Sequence, residues 1–219
     1  MPIYNPTAGG GGINVYESNL AYLNGYDFFT SIGILDNTFT ELFGYTTTIG
    51  AFDGSVGTAM VIDNSVALSG APSAHSMAGW DFAVKDEVLV MAWGTPSLSG
   101  YFGVGINEST LPAGAQQDDY QSTFQTTSIQ WGKHVGGAFT VLASDLTIGN
   151  NMNISNMAKG IALYVNGATN EQQIFMCMGG FWFHVLTTND AEFTTFQSVY
   201  LRYQGQNARA ITPIFCWGK

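Results

Sequence analysis

From residue 45 onward, short apolar or alternating stretches are each closed by a pair of turn-forming residues, and this rhythm restricts the chain to an all-β body. "VGTAMVID" (56–63), "EVLVMAWG" (87–94), "YFGVGIN" (101–107), "YQSTFQTTSIQW" (120–131), "KGIALYVNG" (159–167) and "TTFQSVYLRY" (194–203) are rich in β-branched and aromatic residues. With the intervening runs they make at least eleven predicted strands. Asp53-Gly54, Asp63-Asn64, Ser69-Gly70, Ser99-Gly100, Asn166-Gly167, Gly179-Gly180 and Asn189-Asp190 tolerate the positive φ of tight turns, so hairpins should dominate. Antiparallel strands joined in this way, without a long helical pattern between them, predict a two-sheet β-sandwich of jelly-roll or concanavalin-like type. Pro213, inside the last run, predicts an edge strand or a bulge there.

The start of the chain breaks the rhythm. "PTAGGGGIN" (6–14) contains Gly9, Gly10, Gly11 and Gly12, but Ile13 and Asn14 stand where a phosphate loop needs Lys and a hydroxyl, and no βαβ unit surrounds it. Four glycines give the backbone maximal freedom and nothing to pack, which suits a hinge. Residues 1–12 are therefore expected to form an extended anchoring arm and residues 13–219 a single sandwich domain. Between them, Tyr16, Leu20 and Leu23 have helical spacing ended by Asn24-Gly25, with a strand as the competing reading.

Charge excludes some partners. Charged residues make up 10% of the chain, against about 25% in ordinary soluble domains, so neutral polar groups must form most of its surface. The net charge is −10, and the seven acids that precede the first basic residue, Lys85, have no cation among them. Such a chain repels phosphates, so neither nucleic acid nor an anionic membrane is an expected partner. "MPIYNPTAGG" has no basic region followed by an apolar stretch, so no signal peptide is expected, and no run of about 20 apolar residues predicts membrane insertion.

The residues that carry chemistry are scattered. His75, His134 and His184 lack metal-binding spacing, and Cys177 and Cys216 lack a CxxC pattern; the cysteines read as two buried thiols or as a disulfide between the last strand and an earlier one. Asp86-Glu87 and Asp118-Asp119 are adjacent and tend to point apart, while Asp190 and Glu192 flank a turn. No catalytic, metal or cofactor-binding residue is assigned. Aromatic side chains near turns are the remaining lead, because sugar rings stack on them: Tyr101, Tyr120 and Tyr203 are the candidate glycan-stacking residues.

The Pro/Gly arm "MPIYNPTAGGGG", the low charge and the strand-rich body ending in "VYLRYQGQNARAITPIFCWGK" resemble virion structural proteins of tailed bacteriophages. The body is also similar to concanavalin- or LamG-type sandwiches, in which "ALYVNG" (162–167) has a counterpart hairpin. The first resemblance implies a non-enzymatic virion surface protein made in the host cytoplasm: a capsid decoration, fibre or tail-associated subunit. It would assemble as a homo-oligomer with other virion proteins. The second implies a lectin-like module that recognises host glycans. A β-sandwich glycoside hydrolase is the third reading.

Overall fold

Fifteen strands carry these runs in a computed structural model that describes residues 28, 46–52, 57–62, 65–70, 75–94, 101–110, 118–124, 129–145, 159–178, 181–204, 209–211 and 214–219. In chain order they are β1 (Thr46–Phe52), β2 (Gly57–Ile62), β3 (Ser65–Gly70), β4 (His75–Lys85), β5 (Glu87–Gly94), β6 (Tyr101–Asn107), β7 (Asp119–Phe124) and β8 (Ile129–Val135). There follow β9 (Ala138–Asp145), β10 (Lys159–Asn166), β11 (Glu171–Met178), β12 (Phe181–Asn189), β13 (Phe196–Gln204), β14 (Arg209–Ile211) and β15 (Ile214–Gly218).

They form two antiparallel sheets of a sandwich and a small third one. The seven-stranded sheet runs β1-β4-β13-β6-β7-β8-β9, the five-stranded sheet β12-β11-β10-β5-β15, and the three-stranded sheet β14-β3-β2. The two-sheet sandwich is as expected. Alternation builds its core: Val88 and Val90 of β5 and Ile161 and Leu163 of β10 point from the smaller sheet toward Val104 of β6 and Leu201 of β13, all fully buried. The opposite face of the five-stranded sheet holds Leu89, Met91, Tyr164, Phe175 and Trp217, also buried. Phe28, which is helical, stacks on Phe175 at 5.0 Å and meets Tyr164 edge-on at 4.8 Å. Apart from Phe28, residues 1–45 lie outside the described residues, and with them the proposed arm and its hinge, Gly9 to Gly12.

Three local features differ from or refine the expectations. The run 120–131 is not one strand: β7 and β8 pair antiparallel from Asp119↔His134 to Phe124↔Ile129. The joining residues, "QTTS", carry two β-branched threonines and no turn pair, so the pattern reads straight through. The hairpin between β8 and β9 turns on Gly136 and Gly137, whose φ values of 60° and 80° fit the left-handed geometry of a two-residue turn. In the β10–β11 hairpin the positive φ falls on Asn170, at 59°, and not on Gly167. Asn166 Oδ1 accepts hydrogen bonds from the backbone amides of Ala168 and Thr169 at 3.0 and 3.1 Å, which shapes that turn.

The disulfide reading is excluded by topology. Cys177 is buried on β11, Cys216 lies on β15, and β10 and β5 stand between them. Three strand spacings of about 4.8 Å separate the two backbones by roughly 14 Å, and a disulfide requires Cα atoms less than about 7 Å apart. Pro213 lies outside the described residues; the run 208–218, which reads as one strand, is two, β14 and β15, in different sheets.

Gly167 is required for packing. A Cβ there would lie 1.9 Å from the Thr194 carbonyl oxygen, whereas one on Gly136 would meet nothing within 4 Å. Gly167→Ala is expected to destabilise the fold by about 3 kcal/mol or more, and Gly136→Ala, strained only in its backbone, by about 1–2 kcal/mol. Urea denaturation of the two variants beside the parent measures both; equal losses would contradict the packing account.

Candidate functional site

The stretch "SVYLR" on β13 assigns two jobs to one strand. Val199 and Leu201 enter the core, so Ser198, Tyr200 and Arg202 face the other way, onto the outer face of the seven-stranded sheet. Register carries that polar face across the sheet. Ser198 lies beside Asn107, Asp119 and His134 on successive strands, and Tyr200 lies beside Gly105, Gln121 and Gly132. Alternating glycines in "YFGVGIN" now have a reason: a Cβ on Gly105 would sit 2.2 Å from the Tyr200 ring, so only glycine lets that ring lie flat across β6.

These polar side chains are 5% exposed or less, so each needs a partner within the protein. Tyr200 donates its hydroxyl to Asp119 Oδ2 at 2.5 Å, with Gln121 Oε1 at 2.8 Å, and Arg202 Nη1 donates to Gln121 Oε1 at 3.1 Å. His134 Nδ1 is 2.7 Å from Asp119 Oδ1, which places the ring proton on Nδ1. Asn107 Nδ2 donates to Ser198 Oγ at 2.7 Å, and Ser198 Oγ donates to the Ser109 carbonyl at 2.7 Å. Asn107 Oδ1 is buried without a hydrogen-bond partner. An unpaired buried acceptor of this kind costs about 1–3 kcal/mol, and any donor that reached it would recover that cost.

The face opens to solvent at its β9 end. Phe139 and Val141, on the outer face opposite His134 and Gly132, are 40% and 49% exposed. The Phe139 ring lies on Gly132, where a Cβ would be 2.5 Å from its Cζ, and its centroid is 4.7 Å from the His134 ring. The floor of glycine and the wall of imidazole hold the ring in one orientation, leaving its outer side free. A fixed, exposed aromatic ring set beside a buried imidazole is suited to stacking on the apolar face of a sugar.

The candidates drawn from the sequence are placed differently. Tyr120 is a correction: it is fully buried, its ring stacks on Trp131 at 5.3 Å, and its hydroxyl donates to Asp190 Oδ1 at 2.7 Å, so it presents no surface to a ligand. Burial and Asp190 both raise its hydroxyl pKa above the ordinary phenol value. Tyr101 starts β6 opposite Gln204, and Tyr203 pairs with Phe102, so these two stand on neighbouring strands at the far end of β6 from Tyr120. The sheet does not bring all three together. Phe139 escaped notice because "AFTVLAS" alternates like any half-buried strand, and no sequence signal distinguishes an outward ring from a core one.

The acids are engaged separately. Asp118 Oδ1 accepts the Gly136 amide at 2.6 Å while its neighbour Asp119 is held by His134 and Tyr200, so the two carboxylates do point apart. Glu87 accepts the Tyr164 hydroxyl at 2.7 Å and pairs with Lys219 at 3.1 Å. His184 packs edge-on against Phe175 and lies 2.8 Å from Thr187 Oγ1; burial lowers its pKa. Asp190 and Glu192 both meet Lys133 Nζ, at 2.8 and 3.1 Å, and tie the segment after β12 to the seven-stranded sheet. The Asp119–His134 pair was missed because the two residues meet only through the β7–β8 hairpin.

Comparison with solved structures places this architecture. A carbohydrate-binding module of Bacillus subtilis, CBM66, superposes with a TM-score of 0.58 at 14% identity, over 83% of this chain and 98% of its own. A legume lectin-like domain from Entamoeba histolytica gives 0.56 at 10% identity, over 79% and 90% of the two chains. Lectin I-B4 from Griffonia simplicifolia, in metal-free form, gives 0.55 at 9% identity, over 79% and 93%. The fold is a lectin-like jelly-roll sandwich. No protein-family model and no curated protein matches the sequence. None of these three structures is described as a virion protein, so the resemblance to bacteriophage proteins gains no support from them.

The Lys133–Asp190 pair gives the fold a defined pH response. Burial alone would raise the Asp190 pKa, but hydrogen bonds from Lys133 and Tyr120 outweigh it and hold the carboxyl below its usual value. Burial would lower the Lys133 pKa, and the two carboxylates outweigh that and raise it. The pair's contribution is therefore present above the ordinary carboxylate range and lost as pH falls through the depressed Asp190 value; on the alkaline side it persists until pH passes the raised Lys133 value. Asp190→Asn is expected to lower the denaturation midpoint near neutral pH, and the gap to the parent should close in strong acid. A gap of constant size across that range would refute the linkage.

Proposed function

We propose that the protein is a non-catalytic carbohydrate-binding module for neutral, hydroxyl-rich glycans. The observation that carries this reading is the Phe139 ring, fixed flat on Gly132 against His134 at the open end of a polar sheet face. The ring supplies stacking area. Gln130, half-buried, lies on the same face of β8 as His134 and Gly132. The net charge of −10 argues against anionic sugars. The lectin and carbohydrate-binding folds to which the chain is similar support the reading without assigning it a ligand.

Tyr101, in the outer-face register of Gly103 and Gly105 at the other end of β6, is proposed as a further stacking residue, whereas Tyr203 shares the register of Val199 and Leu201, which enter the core. A place on a bacteriophage particle is a separate proposal, supported only by the Gly9–Gly12 arm and the charge-poor composition.

A glycan array identifies a ligand class, and calorimetric titration with the corresponding soluble oligosaccharide measures affinity one site at a time. Phe139→Ala is expected to weaken binding about tenfold or more, equivalent to about 1.4 kcal/mol, while Phe139→Tyr retains it. Parallel titration of Tyr101→Ala shows whether the other end of β6 contributes. Absence of binding to any neutral glycan, or full affinity in Phe139→Ala, would sink the assignment.

A further inference from the structure

The same strand that presents Phe139 has an edge that pairs with no other strand among the described residues. β9 is the last strand of the seven-stranded sheet, and Ala138, Phe139, Thr140 and Val141 are all exposed, so the first half of β9 meets solvent on both faces. Val135, Phe139 and Val141 are three of the four large exposed hydrophobics among the described residues, and all three lie on this hairpin. An exposed edge is usually shielded by lysine, proline or a bulge. Residues 138–144, "AFTVLAS", contain neither lysine nor proline, and the one irregularity in the β8–β9 pairing comes after Val141.

Charge indicates which partner suits this edge. Copies of a chain with net charge −10 repel one another, so self-association needs a stretch free of carboxylates. β9 has no charged residue before Asp145. We propose that β9 is the seam of a homodimer, in which two copies pair their β9 strands antiparallel about a two-fold axis through Thr140 and join two seven-stranded sheets into one.

The register follows from geometry. A two-fold axis normal to the sheet keeps both outer faces on the same side, so Phe139 must oppose an odd-numbered residue of the other copy. Centring on Thr140 sets Phe139 against Val141 of the second copy, twice, and aromatic against β-branched is a favourable cross-strand pair. Pairing across the seam runs from Ala138 to Leu142, because the chain turns away at Gly136 and Gly137, and none of these five residues is charged. Both Phe139 rings then lie on one continuous surface with their outer sides still open.

Light scattering during size-exclusion chromatography tests the seam independently of glycan binding, which titration reads. The parent is expected to have twice the chain mass, and Val141→Lys to have the single-chain mass at the same concentration with an unchanged melting profile. Thr140→Cys provides a second test that leaves the apolar pair in place: oxidation should link it across the axis into a covalent dimer, whereas Thr169→Cys, exposed in the β10–β11 turn, should not link. A parent of single-chain mass at its highest soluble concentration would overturn the dimer and leave the edge to an extended peptide from another protein. Retention of the double mass by Val141→Lys, or equal linking by the two cysteine variants, would overturn it as well.

Discussion

Burial of the polar outer face of the seven-stranded sheet is the constraint on which the rest of the structure depends. Polar groups out of water must find partners, and here they find them across strands: Tyr200 and His134 converge on Asp119, and Arg202 and Tyr200 on Gln121. The network spans β13, β7 and β8 and crosses β6, which must be thin enough to pass beneath it. Gly105 makes it thin. A one-residue slip of any of these strands would turn its polar side chains into the core and break the network.

The same rule, a ring laid over a glycine, recurs at the solvent end of the face with a different outcome. Tyr200 over Gly105 is buried and serves the fold, whereas Phe139 over Gly132 is open and available. Position in the sheet makes the difference: β13 and β6 are central, whereas β9 is an edge. Ligand stacking and strand pairing both use that edge, through different surfaces of one side chain. Lys133, bound to Asp190 and Glu192 on the core side of the same hairpin, anchors the strand that carries it.

Carboxylates and histidines are spaced along the chain, while their contacts run across it from strand to strand. Asp118 and Asp119 diverge as adjacent strand residues should, which was legible. The Asp119–His134 contact was not, because "QTTS" hides the turn between β7 and β8. Tyr120 illustrates the reverse error: near a turn in sequence, it is covered on the core face by Trp131 and Phe193.

The sequence by itself determined the all-β class and the hairpin-dominated connections. Both follow from local steric preference. Tertiary structure alone decided that Tyr120 is buried, why Gly167 and Gly105 must be glycine, why Cys177 and Cys216 stay apart, and that Phe139 faces solvent. These properties depend on which strands become neighbours. Strand alternation specifies that a side chain points to one face or the other, but whether that face is core, covered network or open edge is settled only by the order of strands in the sheet.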